Sequence, residues 1–177
     1  MNRILVIIAS VLVATFTTTS FAEESAGDHV DDTATTARVK LALLEQSFSI
    51  GSSINVETSK GIVQLAGFVD SEKAKAMAAR VTAGTEGVES VSNRLNVSTG
   101  KRSAGTVLDD TILSAKVKLA LVESDATNAG RINVEIRYGV VELSGFAGSY
   151  EERDAAVKLV STMDGVESVL NSIDIMR

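Results

Sequence analysis

Residues 61–68 read Gly-Ile-Val-Gln-Leu-Ala-Gly-Phe, and residues 139–146 read Gly-Val-Val-Glu-Leu-Ser-Gly-Phe. An alternating run, Ile-Asn-Val-Glu, precedes each copy at 54–57 and at 132–135. Apolar residues at every second position are typical of a strand with one buried face. The tripeptides at 59–61 and 137–139 supply a glycine where a tight turn needs a positive φ. Each copy and the run before it are therefore predicted to form a β-hairpin.

The hairpins belong to a long internal repeat. Residues 31–97 align without a gap on residues 109–175, and roughly four positions in ten are identical, which is well above chance over such a length. The sequence therefore predicts two similar domains, at 31–97 and 109–177. The segment 98–108, rich in Ser, Thr and Gly, is the predicted linker.

Each repeat has the pattern helix, strand, strand, helix, strand. We expect the first helix to start at the Asp-Asp-Thr triplets of 31–33 and 109–111, and the second at Ser71 and Ser149. Gly84 and Gly87 are expected to end the second helix in the first repeat, and Gly165 in the second. A right-handed crossover should place the outer strands of the strand–helix–strand unit in parallel. The predicted fold class is α+β, two αββαβ domains, each a three-stranded mixed sheet with two helices on one face.

Composition excludes several functions. The 177 residues are 45% hydrophobic, enough for two small cores, and the formal net charge of −6 offers no general basic surface for nucleic acid. The absence of cysteine excludes disulfides, thiol catalysis, thiolate zinc sites and lipid attachment through an N-terminal cysteine. One histidine, His29, leaves little scope for imidazole chemistry, and we assign it no role.

Residues 1–22 are predicted to be a cleavable secretory signal. Arg3 precedes an apolar run at 4–14, and Ser-Phe-Ala at 20–22 fits a cleavage site. The run is too short to span a bilayer, which takes ~20 residues. Cleavage would remove one base and no acid, which leaves 16 basic and 23 acidic residues and a net charge of −7. We expect a soluble, exported protein that is not a lipoprotein, with residues 23–30 as a mobile leader.

The repeated glycines and paired carboxylates do not indicate catalysis. Glycine-rich loops can bind phosphate before a helix, but Gly61 is placed to open a strand and Gly67 to close it. Turn and bulge positions explain these glycines better. The acidic pairs at 31–32, 109–110 and 151–152 fall at predicted helix starts, where capping explains them. We therefore predict a non-enzyme without cofactor, metal or small-molecule substrate.

The first helix of each repeat has two apolar faces. Val39, Ala42 and Leu43 share one face, as do their counterparts in the second repeat. A second apolar face with cationic borders lies opposite. In the second repeat it comprises Ile112, Ala115, Lys116, Lys118, Leu119 and Val122, and in the first the weaker set Ala37, Arg38, Lys40, Leu41 and Leu44.

Two interpretations of the second face remain open. The two first helices could pack against each other and bury both faces between the domains. Alternatively, the faces could bind phospholipid headgroups and acyl chains, or exposed hydrophobic segments of other proteins. The second repeat has the stronger face and is the expected contact. The overall acidity opposes strong attraction to anionic lipid unless lysines cluster on one side.

Two motifs occur once in each repeat, Gly-x-Val-x-Leu-x-Gly and Gly-Val-x-x-Val-x-Asn. Both lie where the BON domain has them, and the chain resembles a tandem member of that family. The motif glycines are Gly61, Gly67, Gly87, Gly139, Gly145 and Gly165.

The resemblance implies that the protein is periplasmic and takes part in protecting the envelope or in the response to osmotic stress. Its implied partners are phospholipid membrane surfaces or unfolded exported envelope proteins, with chaperone-like action on the latter. The alternative is a structural adaptor whose apolar helix faces are buried between its domains and which acts through a specific envelope protein partner.

Overall fold

A computed structural model describes the backbone of residues 26–176 and the side chains of residues 31–176. The predicted signal at 1–22 lies outside the described residues. The first domain contains these elements in chain order: α1 (Ala26–Gln46), α2 (Phe48–Gly51), β1 (Ile54–Ser59), β2 (Ile62–Val69), α3 (Glu72–Ala83), β3 (Ser90–Asn93) and β4 (Asn96–Val97). The second contains α4 (Ala104–Glu123), a 3-10 turn (Ala129–Arg131), β5 (Ile132–Arg137), β6 (Val140–Ala147), α5 (Tyr150–Ser161) and β7 (Ser168–Ile175).

Both hairpins form as predicted, and each occupies two neighbouring positions of a mixed sheet. β1 pairs with β2 in antiparallel register, and β2 pairs with β3 and β4 in parallel. β5, β6 and β7 repeat this order. The predicted α+β class, with two αββαβ units, is confirmed. In the first domain the last strand is interrupted at residues 94–95, whereas β7 is continuous.

The hairpin turns require positive φ at two consecutive residues. Lys60 and Gly61 have φ of 51° and 73°, and Tyr138 and Gly139 have φ of 56° and 74°. Two-residue turns of this kind match the twist of the flanking strands. The predicted need for glycine is therefore confirmed at the second turn position, and a non-glycine residue accepts the same conformation at the first.

Each domain has its own apolar core between one face of its sheet and its two long helices. Val39 and Leu43 of α1 pack with Val63 and Leu65 of β2 and with Ala78 of α3. The second core is equivalent and is built from α4, β5, β6, α5 and β7. Since alternate strand residues point to opposite faces, Gln64 and Glu142 must point away from these cores. Both are nevertheless buried.

The predicted starts of the first helices are wrong. α1 begins at Ala26, inside the predicted leader, and α4 begins at Ala104, inside the predicted linker. Ser103 caps α4 by accepting a hydrogen bond from the Thr106 amide at 3.1 Å. The Asp-Asp-Thr triplets therefore lie within helices and do not cap them.

The predicted starts of the second helices are confirmed. Ser71 and Ser149 accept hydrogen bonds from the amides of Ala74 and Glu152, both at 3.2 Å. Gly84 caps the end of α3 as expected, whereas Thr162 and not Gly165 caps α5. Gly67 does not close its strand, because β2 continues to Val69.

Candidate docking surface

The carboxylate of Asp110 fixes α4 against the hairpin of its domain. Asp110 is buried and accepts hydrogen bonds from the amides of Tyr138 at 3.1 Å and Gly139 at 3.0 Å. Arg102 forms an ion pair with the same carboxylate at 3.2 Å. Asp32 makes the equivalent bonds to the amides of Lys60 and Gly61, at 2.7 and 2.9 Å. These carboxylates stabilise the two positive-φ turns and hold each first helix in a fixed orientation.

That orientation leaves one face of α4 uncovered. Leu113, Val117 and Leu121 are buried in the core, while Leu119 lies about 200° around the helix from Val117, at roughly 100° per residue. Leu119 is 57% exposed and Val122 69% exposed. We call the exposed set the α4 stripe; it comprises Ile112, Ala115, Leu119 and Val122, with Lys116 and Lys118 at its borders.

The six residues predicted for the second domain are thus all on one exposed face. Leu108 lies on the same face and is 60% exposed. The sequence interpretation missed it because residue 108 was assigned to the linker and not to the helix. With 20 residues, α4 is about 30 Å long, so the stripe extends along most of a helix.

Lys116 and Lys118 are exposed, one on each side of the stripe. Among the described side chains neither forms a salt bridge. The two borders differ, because acidic residues line a cleft beside Lys116. They are Asp109, Asp110, Asp164 and Glu167. The groove beside Lys118 is lined by Arg102 and Glu135 together with Asp110 and several neutral residues. Since the Lys118 border has fewer acids, it is the better site for a phosphate group.

The first domain carries the weaker counterpart, which we call the α1 stripe. It comprises Ala37, Leu41 and Leu44, with Arg38 and Lys40 at its borders. All five residues are exposed, Leu41 at 58% and Leu44 at 36%. Phe48, in the short helix that follows, is also largely exposed. The interpretation that the two first helices bury these faces between the domains is therefore wrong.

The domains instead meet through the faces of their sheets that the helices leave uncovered. Gln64 on β2 accepts a hydrogen bond from the Gly145 amide at 2.7 Å and donates to the Ser172 carbonyl at 2.8 Å. In the reciprocal position, Glu142 on β6 accepts from the Gly67 amide at 2.7 Å. Gln64 and Glu142 occupy the same place in the two repeats, so the interface is pseudo-symmetric.

Further polar side chains complete this interface. Glu142 also accepts from Asn96 and from Ser172, both at 2.9 Å. Asp174 accepts from Ser92 at 3.0 Å and pairs with Arg94 at 2.8 Å. Burial raises the pKa of Glu142 to about 7, against the lowering effect of its three hydrogen bonds. Directional hydrogen bonds therefore fix the domain arrangement. Ala66 and Phe146, which are buried but belong to neither core, lie on the same two sheet faces.

The motif glycines Gly67 and Gly145 lie at this interface. Their φ values are 121° and 107°, and an added Cβ would clash with a carbonyl oxygen of the glycine's own domain, that of Ser53 or of Arg131. Each glycine amide binds the polar side chain of the other domain. Sequence reasoning missed Gln64 and Glu142. The available signal was a polar residue at one position of both repeats in otherwise apolar strands.

Among the side chains of residues 31–176, no group of three or more His, Cys, Asp or Glu is placed to hold a metal ion. Nor does any helix within residues 26–176 have the length and apolarity needed to cross a membrane.

Two repeated αββαβ units, each with an exposed apolar stripe on its first helix, define a tandem-domain protein of the α+β class. Residues 31–99 and 109–177 both match the model of the BON domain. The chain belongs to the BON domain family.

Curated relatives agree with this assignment. The chain is 36% identical over 148 residues to the osmotically-inducible protein Y of Escherichia coli (strain K12), covering 83% of this chain and 74% of that protein. It is 28% identical over 155 residues to a 21 kDa hemolysin of Actinobacillus pleuropneumoniae, covering 86% and 78%. An uncharacterized protein of Anaplasma centrale is 28% identical over 144 residues, covering 81% and 94%.

Among solved structures, the chain is similar to the C-terminal domain of CdsD, described as the structural protein of the Type III secretion system of Chlamydia trachomatis. The likeness covers 82% of this chain and 67% of that chain, at 15% identity and a TM-score of 0.33. A TM-score this low does not bear on function.

Proposed function

We propose that this protein is a non-enzymatic binding module of the cell envelope that docks on anionic phospholipid surfaces through the α4 stripe. The observation that carries the proposal is the exposure of Ile112, Leu119 and Val122 on the helix face opposite the core. Nothing in the fold of the described residues requires apolar side chains there. An amphipathic helix with lysines beside its apolar face suits the boundary between headgroups and acyl chains.

The magnitudes favour weak, reversible binding. The three large apolar side chains expose from about half to more than two-thirds of their surface, so the insertion of each contributes roughly 1 kcal/mol. A lysine near an anionic surface adds about 1 kcal/mol. Together with Lys116 and Lys118 the sum is about 5 kcal/mol, which corresponds to a dissociation constant of roughly 0.1–1 mM. The acidic remainder of the molecule lowers the attraction further.

The relatives support the cellular setting of this proposal. The similarity to an osmotically-inducible protein of Escherichia coli favours a role in the osmotic-stress response of the envelope. The predicted signal at 1–22 favours export to the periplasm. The same stripe could instead bind apolar segments of unfolded exported proteins. The lysines at its borders, which form no salt bridge with a described side chain, favour an anionic lipid surface.

The test is co-flotation with vesicles of phosphatidylglycerol and phosphatidylethanolamine, compared with purely zwitterionic vesicles. We expect binding to the anionic vesicles, reduced at physiological salt because the lysines are exposed and screened. Leu119→Glu should lower binding at least fivefold and leave the thermal unfolding curve unchanged, since the side chain is outside the core.

Lys118→Glu and Lys73→Glu form a matched pair of charge variants. Both change the net charge equally, but Lys73 lies exposed on α3 in the first domain, far from the α4 stripe. Only Lys118→Glu should weaken binding. Equal loss in both variants would show that net charge alone drives the association.

The wild-type protein separates the lipid partner from a protein partner. If it binds no vesicle but protects an unfolded outer-membrane protein from aggregation, the stripe binds unfolded proteins and not lipid.

A further inference from the structure

The two domains are stacked so that their helices form the outermost layers of the molecule. In the first domain α1 and α3 cover the sheet face that carries Val63 and Leu65. Gln64 lies on the opposite face and bonds to the sheet of the second domain. Because Glu142 makes the reciprocal contact, the order of layers is helices, sheet, sheet, helices.

This order directs the two stripes away from each other. Val39 and Leu43 of α1 face their sheet, so Leu41 and Leu44 face outward from one outer layer. Val117 and Leu121 of α4 face the other sheet, so Leu119 and Val122 face outward from the opposite layer. At roughly 10 Å per layer, the axes of α1 and α4 are about 30 Å apart.

We propose that one molecule bridges two anionic lipid surfaces, one bound by the α4 stripe and the other by the α1 stripe. This inference rests on the proposed function of the α4 stripe and adds a second, oppositely directed contact. Charge supports an anionic lipid surface at both stripes, because Arg38 and Lys40 border the α1 stripe where Lys116 and Lys118 border the α4 stripe. Acidic residues line the clefts beside Arg38 and Lys116, so Lys40 and Lys118, on the opposite borders, are the cations better placed for phosphate groups. None of these four cations forms a salt bridge with a described side chain.

The arrangement cannot place both stripes on one flat surface. A single membrane can contact α1 or α4, but not both, while the polar interface around Gln64 and Glu142 holds the domains together. A second contact on the same membrane is therefore unavailable to strengthen binding. It becomes available when a second membrane lies within reach, and many such bridges between the same two surfaces act together.

The test combines flotation with turbidity of the same vesicles, phosphatidylglycerol and phosphatidylethanolamine, titrated with the full mature chain. We expect binding and a rise in turbidity that peaks at intermediate protein-to-lipid ratio. The turbidity should fall when protein in excess occupies every vesicle separately. Turbidity that climbs steadily with protein would indicate bridging through protein–protein association and would overturn the proposal.

The variants separate this inference from the proposed function. Leu41→Glu combined with Leu44→Glu should keep flotation within twofold of wild type but reduce turbidity at least tenfold. Arg38→Glu combined with Lys40→Glu should also reduce turbidity. This pair changes no apolar residue, so it still tests the bridge if the leucine variants fail to fold. Variants that still cluster vesicles as wild type does would contradict the bridge.

The wild-type result decides between the two proposals. Flotation without turbidity at any ratio would overturn bridging and leave docking by the α4 stripe intact. No flotation at all would overturn both.

Discussion

At the scale of single residues, Glu142 is the side chain whose position is least expected. It is 0% exposed and receives hydrogen bonds from Gly67, Asn96 and Ser172, yet burial raises its pKa to about 7. The nearby negative charge of Glu135 raises the pKa of Glu142 further. Its counterpart in the first repeat is the neutral Gln64, which fills the same kind of position with no charge to desolvate. The interface therefore contains one titratable member of an otherwise neutral pair.

Glu142 makes stability depend on pH near neutrality. The unfolded carboxyl titrates near 4.5 and the folded one near 7, so the folded protein holds a proton that the unfolded chain releases between these values. The contribution of the protonated Glu142 carboxyl to the free energy of unfolding is complete below about pH 4.5 and is lost as the pH rises through 7. We expect the free energy of unfolding, measured with urea, to fall by up to about 3 kcal/mol between pH 5 and pH 8.

Glu142→Gln is the matched variant for this effect, because it copies the residue found in the first repeat. The slope between pH 5 and pH 8 should flatten in the variant, and its stability at pH 8 should equal or exceed that of wild type. Identical pH profiles for the two proteins would show that Glu142 is not the titrating group.

At the scale of elements, Asp110 connects α4 to the turn between β5 and β6. Its carboxylate satisfies two turn amides in the left-handed region and pairs with Arg102. Charge-assisted bonds of this kind contribute more than neutral ones. We expect Asp110→Ala to destabilise the protein by about 2–3 kcal/mol in urea unfolding followed by circular dichroism.

The neighbouring residue provides the control. Asp109 is exposed, and Asp109→Ala should change stability by less than about 0.5 kcal/mol. Similar losses in both variants would contradict the role of the Asp110 carboxylate at the turn and favour a general effect of charge on the helix.

The same residues show how far the sequence could lead at this scale. The hairpins, the repeat and the caps at Ser71 and Ser149 depend on local spacing, which a sequence displays directly. Asp110 was assigned to a helix start because acidic residues are favoured there, but its partners are the amides of Tyr138 and Gly139, 28 and 29 residues further on. A carboxylate that serves a distant turn cannot be told from a cap by local pattern.

At the scale of the whole molecule, the contact between the sheets decides which surfaces remain free. The sequence predicted an apolar second face on each first helix and left open whether the domains bury it. The answer depends on Gln64 and Glu142, which bond to backbone groups of the other domain 75 or more residues away. The polar residue shared by both repeats at 64 and 142 was the one sequence signal of this contact, and it does not show which groups the side chains bind.

The most direct measurement places a fluorescent probe on the α4 stripe. The chain contains no tryptophan, so Leu119→Trp introduces the sole indole, and Tyr150→Trp places one on the exposed surface of α5 as the control. Fluorescence is recorded as anionic vesicles are added. We predict that the emission of Leu119→Trp shifts to the blue and loses its quenching by acrylamide, while that of Tyr150→Trp does neither. An indole at position 119 that stays as exposed as the control, at lipid concentrations where the protein floats with the vesicles, would contradict docking through α4.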